Sequence, residues 1–374
     1  MNKKKKILFI AGNARSLIAN RINLINELKN NDCIVEAAVP IEDFLDEVYE
    51  IGIKIYTFRL NRGSKNPIKC MEALLDLLKV LHKTKPDIVF TYTISSIVWG
   101  NLSSFLVGVP KIFSIITGLG SSFSESKKLK NRLLKIITTN LYRLSINFCT
   151  KVYFQNNDDL NEFVIRKILF DKSKALRVKG SGIDLNKFYP HPLPKQIKFI
   201  FIGRLLKEKG VYEFFEAAKI IHKKNKNIKF LIVGPFDPSL KNCIDKVLYE
   251  KIKISKEVKF LGKVKDVRPF LRDSSVFVLP SYYREGVPKS SLEAMAMGRP
   301  IITCDSIGCR ETVLNKKNGF LINPKDVKSL YLKMKLLIDK PELIKTMSLE
   351  SIKFSKTFDV KDVNLKIIRS MKII

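Results

Sequence analysis

Two glutamates and two basic residues stand out as groups that could do chemistry. Glu285 and Glu293 lie eight positions apart in the stretch YREGVPKSSLEAMAMGRPIITCD, and Arg204 and Lys209 lie five apart in FIGRLLKEKG. Arginine offers phosphate oxygens a planar fork of donors, and lysine adds a mobile point charge. Carboxylates accept hydrogen bonds from vicinal hydroxyls. The combination predicts a site for a ligand that carries both a diphosphate and sugar hydroxyls.

The surroundings of the two glutamates also favour an anion site. Gly286 permits a tight turn that exposes backbone amides, and Ser290 and Ser291 precede an apolar helix predicted over residues 292–297. Free N–H groups and the helix dipole attract anions at such a helix start. Two plainer interpretations stay open: the two cations are solvated surface residues, and Glu293 is an ordinary first-turn acid that the dipole stabilises.

Short apolar runs alternate with amphipathic helices along the chain, which predicts an α/β fold with doubly wound parallel sheets. Arg204 and Glu285 both follow predicted strands, so both fall on carboxyl-end loops, where such sheets bind ligands. The Gly- and Pro-rich stretch GSGIDLNKFYPHPLPKQ separates two such alternations. The predicted parts are a first domain over residues 1–180, a linker over 181–197, a second domain over 198–357, and a C-terminal helix over 358–374 that packs back on the first domain.

Composition narrows the class of partner. The formal net charge is +32, from 68 Lys and Arg against 36 Asp and Glu. This excess suits nucleic acid, an anionic membrane or a phosphorylated substrate, with a codon bias toward lysine as the alternative explanation. The 6 cysteines form no C-x-x-C pair, and the 3 histidines lie far apart. We therefore expect buried, reduced thiols and neither a metal site nor a histidine-based triad.

Two segments bear on membrane insertion. The opening MNKKKKILFIAGN has too short an apolar run for a signal peptide, so we expect it to lead into a first strand. Residues 88–110 carry no charge, and the segment is long enough to span a bilayer. Because Ser, Thr, Asn, Gly100, Gly108 and Pro110 interrupt it, we expect a strand, a loop and a buried helix instead.

The stretch EGVPKSSLEAMAMGRPIITCDSIGCRETV resembles the donor-binding signature of retaining, nucleotide-sugar-dependent glycosyltransferases of family 4. The glutamate pair separated by seven residues is the best-known mark of that family. FIGRLLKEKG resembles its diphosphate loop, and GSGIDLNKFYP resembles its interdomain linker. The resemblance covers nearly the whole chain. It implies a GT-B fold, in which two Rossmann-like domains face a central cleft and close over a nucleotide diphosphate-sugar.

The resemblance also implies a role for each candidate residue of the second half. Arg204 and Lys209 would hold the diphosphate of a UDP-sugar, Glu293 would bind its ribose, and Glu285 would face the donor sugar. The backbone that would help to seat the sugar ring is that of Gly286, Val287 and Pro288. Because the two cations neutralise the leaving diphosphate, we expect no metal and no other cofactor.

The first half, FTYTISSIVWGNLSSFLVGVPKIFSIITGLGSSF, is similar to a bacterial branch that builds surface glycans on polyprenyl-diphosphate carriers. By this similarity, Gly12 and Asn13 would approach the donor diphosphate. Arg21 would meet an acceptor phosphate, with a solvated helix residue as the alternative. The turn of Gly118 and Gly120 resembles a flexible acceptor-side loop.

Two features of charge in the first half bear on this similarity: a lysine of the branch is missing here, and a basic stretch indicates contact with a membrane. Many members read Lys-Pro where this chain has Ser95 and Ser96, which puts the role of a cation at that point in doubt. Residues 127–135 are rich in Lys and Arg, and each such residue near an anionic bilayer contributes about 1 kcal/mol. We therefore expect a cytoplasmic protein held peripherally on the inner face of the plasma membrane. An amphipathic helix packed on its own sheet is the alternative.

These expectations describe a retaining transferase that moves a hexose or N-acetylhexosamine, of the galactose, GalNAc or GlcNAc type. Its donor is a UDP-sugar, and its acceptor is an undecaprenyl-diphosphate-linked glycan of capsule or O-antigen. Three alternatives stay open. The few histidines disfavour a UDP-sugar epimerase of the same fold, and the lack of a recognition helix, zinc finger or RNA motif disfavours a nucleic-acid-binding protein. The intact set of Arg204, Lys209, Glu285 and Glu293 disfavours a catalytically silent scaffold.

Overall fold

The structure is a computed structural model that describes residues 4–41, 45–60, 67–119 and 129–374. The chain forms two compact units, one of Met1–Ser181 with Asp362–Ile374 and the other of Gly182–Lys361. This division differs from the predicted one at two places. Residues 182–197, predicted as a linker, belong to the second unit, and the C-terminal tail joins the first unit from Asp362 rather than from residue 358.

The first unit is built on a parallel sheet of seven strands. These are β1 (Lys6–Ala11), β2 (Ile34–Pro40), β3 (Lys54–Phe58), β4 (Ile88–Tyr92), β5 (Lys111–Ile116), β6 (Lys151–Phe154) and β7 (Ala175–Arg177). Their spatial order is β3-β2-β1-β4-β5-β6-β7. Every residue of β4 is buried, because helices cover both faces of the sheet. The order reverses between β1 and β4, which creates a switch point where the following loops diverge.

Crossover helices connect these strands. They are α1 (Ala14–Asn30), α2 (Leu45–Tyr49), α3 (Pro67–Thr84), α4 (Ile94–Val107), α5 (Leu129–Asn147) and α6 (Asn157–Ile165). The uncharged segment 88–110 contains β4, a bend at Thr93 and α4, so the predicted strand, loop and helix are confirmed. The helix is buried as far as Ser104 on its packed side, whereas Phe105 and Leu106 near its end are exposed. Among the residues that the structure describes, no helix is both long enough and apolar enough to cross a membrane.

The second unit repeats the architecture on a parallel sheet of six strands. The strands are β8 (Lys198–Ile202), β9 (Lys229–Val233), β10 (Lys259–Phe260), β11 (Val276–Leu279), β12 (Ile301–Cys304) and β13 (Gly319–Ile322). The helices are α7 (Val211–Lys224), α8 (Lys246–Ile254), α9 (Arg268–Arg272), α10 (Lys289–Ala296), α11 (Val327–Asp339) and α12 (Pro341–Ser355). The strand order β10-β9-β8-β11-β12-β13 reverses between β8 and β11. The predicted fold class, two doubly wound Rossmann-like units, is confirmed.

The last helix, α13 (Val360–Ser370), contributes to the first unit's core. Its apolar residues Val363 and Ile367 share a buried cluster with the side chains of β1 and β4. The hydroxyls of Tyr153 and Ser370 are hydrogen-bonded at 2.6 Å. Buried apolar area and this polar contact therefore hold the end of the chain on the sheet where the chain begins.

Candidate functional site

The loop after β8 carries the two predicted cations. Arg204 is exposed, and its guanidinium makes no hydrogen bond or ion pair within the described part of the chain. Lys209 ends a short 3-10 turn and is largely buried, with 13% of its side chain exposed. Gly210 follows with φ +78°, and a Cβ there would lie 2.2 Å from the carbonyl oxygen of Pro280. The Lys209 turn therefore packs directly on the loop after β11.

Lys209 and Glu285, 76 positions apart, form an ion pair between Nζ and Oε1. Both side chains are mostly buried, so water screens this pair less than it would a surface pair. The hydroxyl of Ser281 lies 3.4 Å from the same carboxylate oxygen and 3.2 Å from the carbonyl oxygen of Glu208. The sequence analysis predicted that Lys209 contacts the diphosphate and that Glu285 faces the donor sugar. In this structure, which contains no ligand, the two side chains neutralise each other.

Tyr283, which sequence reasoning missed, lies among the charged residues. The Nζ of Lys209 lies over its ring, 5.8 Å from the centroid. Burial raises the pKa of the Tyr283 hydroxyl, the carboxylate of Glu285 raises it further, and the guanidinium of Arg204 acts in the opposite direction. Lys209 thus contacts both the Tyr283 ring and the Glu285 carboxylate at the carboxyl ends of β8 and β11, and the charge of Arg204 acts on the same tyrosine.

The loop after β12 supports the Glu285 segment from behind. Gly308 has φ +79°, and a Cβ there would lie 2.3 Å from the carbonyl oxygen of Glu285 and 2.4 Å from that of Gly286. The hydroxyl of Ser306 donates to the carbonyl of Ser281 at 2.6 Å. Only glycine, which has no Cβ, lets the backbone at position 308 come this close to the Glu285 and Gly286 carbonyls. The sequence contains this glycine in the tripeptide Ser306-Ile307-Gly308, but nothing in the local pattern shows that it packs against Glu285, which lies in another loop.

The geometry corrects two expectations about the helix that carries Glu293. Helix α10 begins at Lys289 rather than at residue 292, so it has no acidic residue in its first turn and Glu293 lies in the second. Burial raises the pKa of Glu293 to about 7, Lys289 and Lys187 oppose this increase, and Asp266 adds to it. The expected dipole stabilisation is therefore outweighed by desolvation. The Glu293 carboxylate makes no hydrogen bond within the described residues.

The start of α10 is open to an anion. Its N-cap is Pro288, which offers no side-chain cap. The N–H groups of Ser291 and Leu292 donate to the Pro288 carbonyl, whereas that of Ser290 has no partner among the described residues. The Ser291 hydroxyl is buried and unpaired. Gly286 and Val287 lead into this turn, and Gly286 is not in the left-handed region, so the turn does not use the backbone freedom that was expected of it.

A buried arginine that the sequence analysis passed over fixes the far end of α10. The guanidinium of Arg299 donates to the carbonyls of Met297 at 3.1 Å, Ser274 at 2.9 Å and His191 at 2.6 Å. These bonds satisfy its buried donors. They tie the helix that carries Glu293 to the segment that enters the second unit.

Several predicted residues lie in the first unit, at the ends of β1 and β4. A Cβ on Gly12 would lie 2.1 Å from the Thr93 hydroxyl, so the loops after these strands touch. The Asn13 side chain caps α1 by accepting from the Ser16 N–H at 2.9 Å. Gly118 has φ +96° in the turn after β5. Its partner in the predicted loop, Gly120, lies outside the described residues.

Arg21 is a buried residue, so its interpretation as a solvated helix position is wrong. The side chain is 2% exposed, and its guanidinium lies 5.2 Å from the Tyr92 ring centroid. Nη1 donates to the carbonyl of Asn20 at 3.2 Å, whereas Nε and Nη2 are buried without a partner. Burial lowers the pKa of this group to about 10, so it remains charged at neutral pH. An unpaired buried cation is costly and calls for an anionic partner.

The described residues hold no group of three or more His, Cys, Asp or Glu side chains placed to bind a metal ion. The cysteines are free thiols, and all are buried except Cys70. Burial raises the pKa of Cys149 to about 12 and that of Cys309 to about 11. These two thiols are protonated at neutral pH and are therefore poor nucleophiles.

Comparisons with known protein families match both halves of the chain. The family model described as Glycosyl transferases group 1 matches residues 185–354, which include every candidate residue of the second unit. The family model described as Glycosyl transferase 4-like matches residues 6–156.

Individual relatives cover most of the chain. The N,N'-diacetylbacillosaminyl-diphospho-undecaprenol alpha-1,3-N-acetylgalactosaminyltransferase of Campylobacter jejuni is 29% identical over 352 residues, which are 90% of each protein. The UDP-Gal:alpha-D-GlcNAc-diphosphoundecaprenol alpha-1,3-galactosyltransferase of Escherichia coli is 30% identical over 320 residues, 82% of this chain and 79% of that protein. The crystal structure of Anabaena HepE in complex with UDP and glucose has the same fold, with a TM-score of 0.79, 18% identity, and coverage of 98% of this chain and 99% of that one.

Proposed function

Because the chain belongs to the group 1 glycosyltransferases, we propose that it transfers a hexose or N-acetylhexosamine from a UDP-sugar to an undecaprenyl-diphosphate-linked glycan, with retention of configuration. One observation carries the proposal: the loops after β8 and β11, which carry Arg204, Lys209 and Glu285, meet at the switch point of the second sheet, where Lys209 contacts both Glu285 and the Tyr283 ring. Two relatives whose names specify undecaprenol-diphosphate-linked sugars support the class of acceptor. They are a galactosyltransferase and an N-acetylgalactosaminyltransferase, so UDP-galactose and UDP-GalNAc are the first donors to try.

The donor diphosphate has three kinds of group to bind to. The exposed guanidinium of Arg204 is free to form paired hydrogen bonds with phosphate oxygens. Lys209 adds a second positive charge once it leaves Glu285. The unpaired N–H of Ser290 at the start of α10 adds a backbone donor where the helix dipole favours an anion. Because two cations face the diphosphate, we propose that no metal ion is required, and chelation with EDTA should leave the rate unchanged.

The same residues suit a front-face transfer. The bond between the anomeric carbon and the UDP oxygen breaks, and the acceptor hydroxyl forms its bond on the face that UDP leaves. The hydroxyl's proton passes to an oxygen of the leaving diphosphate. Arg204 and Lys209 stabilise the negative charge that develops there, each by about 3 kcal/mol. The Glu285 carboxylate, released from Lys209, faces the sugar ring and stabilises its developing positive charge.

The proposed contact of Glu293 with the ribose hydroxyls makes donor affinity depend on pH. Its carboxylate accepts two hydrogen bonds when it is ionised, and the pKa of about 7 means that it loses this capacity below neutrality. The diphosphate of a UDP-sugar does not titrate in this range. We therefore expect the Kd of the UDP-sugar to be several-fold larger at about pH 6 than at about pH 8. Calorimetric titration at both values would measure this difference.

Glu293→Gln is the control for this pH effect. It should remove the pH dependence, because glutamine does not titrate, and should keep the Kd near the larger value that the wild type has at low pH.

Glu293 also affects the stability of the fold. Its folded pKa lies above the ordinary 4.5, so the folded state binds the proton more tightly than the unfolded chain. The resulting loss of stability is absent below pH 4.5 and complete above about 7, where Glu293→Gln should melt at a higher temperature than the wild type. A Kd that depends on pH equally in both proteins would contradict the assignment.

The buried guanidinium of Arg21 is the proposed partner of an acceptor phosphate. Its Nε and Nη2 have no partner, and contact with a phosphate requires the neighbouring side chains that cover them to move. A buried charge without a counter-ion costs folding free energy, so Arg21→Met, which removes the charge and keeps an apolar side chain of similar length, should melt no lower than the wild type. The KM for a lipid-diphosphate acceptor should rise by about tenfold or more, the value of a charged hydrogen bond.

The KM for the UDP-sugar separates binding of the acceptor from general damage to the enzyme. It should stay unchanged in Arg21→Met, since the side chains proposed to bind the donor, those of Arg204, Lys209, Glu285 and Glu293, lie in the second unit. An acceptor KM that also stays unchanged, in a variant that is folded, would assign Arg21 a structural role only.

The activity itself is tested by UDP release. The purified protein is given a panel of UDP-sugars, with and without a glycan acceptor on a short-chain polyprenyl diphosphate. We expect release from one sugar that rises sharply with acceptor. No release from any sugar, with or without acceptor, would overturn the proposed donor class.

Since the proposed acceptor is lipid-linked, we propose that the enzyme associates peripherally with the cytoplasmic face of the membrane. The basic residues 127–135 are a proposed contact. Residues 127 and 128 lie outside the described residues, and the side chains of 129–135 are likewise not described.

A further inference from the structure

The loop after β9 lies against the loop after β8, which carries the two candidate cations. The Leu205 N–H donates to the carbonyl of Pro235 at 3.1 Å. Farther along both loops, the Lys207 N–H donates to the carbonyl of Asn242 at 2.9 Å. The two loops are therefore joined along their backbones, next to the short turn that ends at Lys209.

A side-chain contact joins the same two loops. The Nδ2 of Asn242 donates to Oε1 of Glu208 at 2.7 Å. The other carboxylate oxygen of Glu208 is buried without a partner, and within the described residues Asn242 is the one side chain that contacts this carboxylate by hydrogen bond or ion pair. Hydrogen bonds to carboxylates are strong, and a buried carboxylate without a donor is costly. Glu208 therefore depends on Asn242 to keep its side chain in this position.

The backbone of Glu208 holds the loop after β11. Its carbonyl accepts from the N–H of Tyr282 at 2.8 Å and from that of Tyr283 at 3.1 Å. The hydroxyl of Ser281 donates to the same carbonyl at 3.2 Å. Glu208 thus connects the loops after β8, β9 and β11, and the next residue along the chain is Lys209.

We propose that Asn242 and Glu208 are a positioning pair, which fixes the Lys209 turn for the donor diphosphate. The inference rests on the proposed function, in which the Lys209 amino group leaves Glu285 and stabilises the leaving diphosphate. The lysine side chain moves in that exchange, so other contacts must fix the backbone that carries it. Neither member of the pair contacts a ligand in this role, and both act through Lys209.

A double-mutant cycle tests whether the pair acts through Lys209. Asn242→Asp places two carboxylates against each other, and we expect it to lower both the turnover number and the affinity for UDP by about tenfold. Lys209→Ala with Asn242→Asp should lose no more than Lys209→Ala alone, because the position of the turn no longer matters once its lysine is absent. Losses that multiply, to about a thousandfold in turnover, would show that Asn242 acts independently of Lys209 and would overturn the proposal.

Glu208→Gln with Asn242→Asp is the rescue variant. It restores the hydrogen bond with donor and acceptor exchanged, since the glutamine amide donates to the aspartate. We expect turnover and UDP affinity to return to within about twofold of the wild type. A rescue variant that melts like the wild type but stays as slow as Asn242→Asp would contradict the role of the bond.

Lys241→Ala is the matched control from the same loop. Lys241 is exposed, and its amino group makes no hydrogen bond or ion pair within the described residues, so the variant should behave like the wild type. Initial rates of UDP release and calorimetric titration with UDP supply the two readouts. If the wild type binds UDP but no UDP-sugar supports release, the proposed function fails, and the cycle in UDP affinity still decides the role of the pair. A wild type that does not bind UDP would overturn both.

Discussion

Lys209→Ala is expected to lower the turnover number by about a hundredfold, and Arg204→Ala by a similar factor. In the transition state the leaving diphosphate gains negative charge, and each variant removes one of the cations that face it. Arg204 contacts no other side chain by hydrogen bond or ion pair within the described residues, so its loss should not affect folding. Initial rates of UDP release at saturating donor and acceptor would measure both effects.

Lys207→Ala is the matched control, because Lys207 lies on the same 3-10 turn but is exposed, and its amino group makes no hydrogen bond or ion pair within the described residues. It should retain the wild-type rate. If Lys209→Ala and Arg204→Ala also turn over at the wild-type rate, neither cation stabilises the leaving group.

The ion pair between Lys209 and Glu285 adds an opposite expectation for the carboxylate. Glu285→Gln should reduce sugar transfer by a similar factor, since the sugar loses its negative neighbour. Its affinity for UDP should be equal to that of the wild type or tighter, because Lys209 no longer has to leave a carboxylate to reach the diphosphate. Calorimetric titration with UDP would distinguish this from a general disruption of the site. Weaker UDP binding by Glu285→Gln than by Lys209→Ala would contradict the proposed exchange of partners.

Gly308→Ala should disable the site without touching any ligand. A Cβ at Gly308 would lie 2.3 Å from the Glu285 carbonyl oxygen, far inside van der Waals contact, and φ of +79° adds strain. The strain costs about 1 kcal/mol and the displaced backbone about 1–3 kcal/mol more. We expect a free energy of unfolding lower by about 2–4 kcal/mol in total and a large loss of transfer activity, because the segment that carries Glu285 must move. Denaturant unfolding and UDP release would measure these effects.

Gly108→Ala separates the backbone strain from the contact. Gly108 has φ +77°, but no atom lies within 4 Å of the Cβ that alanine would add. This variant should lose only about 1 kcal/mol of stability and should keep its activity. Similar losses in the two variants would show that strain alone accounts for the effect at Gly308.

Much of the fold could be predicted from the sequence because its signals are local. Buried parallel strands appear as short apolar runs, and their crossover helices appear as amphipathic stretches, as with β8 and α7. Once the strands are predicted, the loops at their carboxyl ends can be assigned as well. Arg204 and Glu285 were in this way assigned to the edge of the second sheet on which the structure has them. The start of α10 was misplaced by three residues, because Lys289 and the two serines carry no apolar periodicity.

The rest depended on contacts between distant parts of the chain. The pairing of Lys209 with Glu285, the ring of Tyr283 between them and the support from Gly308 join loops after three different strands. Local pattern does not encode which side chains meet across those loops. Arg21 shows the same limit: an arginine on an amphipathic helix is ordinarily solvated, and only the packed structure shows that its guanidinium is enclosed beside Tyr92.

The measurement that tests the central claim most directly is the anomeric configuration of the transferred sugar. The enzyme would be given an α-linked UDP-sugar and a purified short-chain polyprenyl-diphosphate glycan, and the product's anomeric proton would be examined by NMR. We expect a new α-linked residue on the acceptor. A β-linked product would contradict front-face retention, and failure of any UDP-sugar to label the acceptor would contradict the proposed role of Arg204, Lys209 and Glu285.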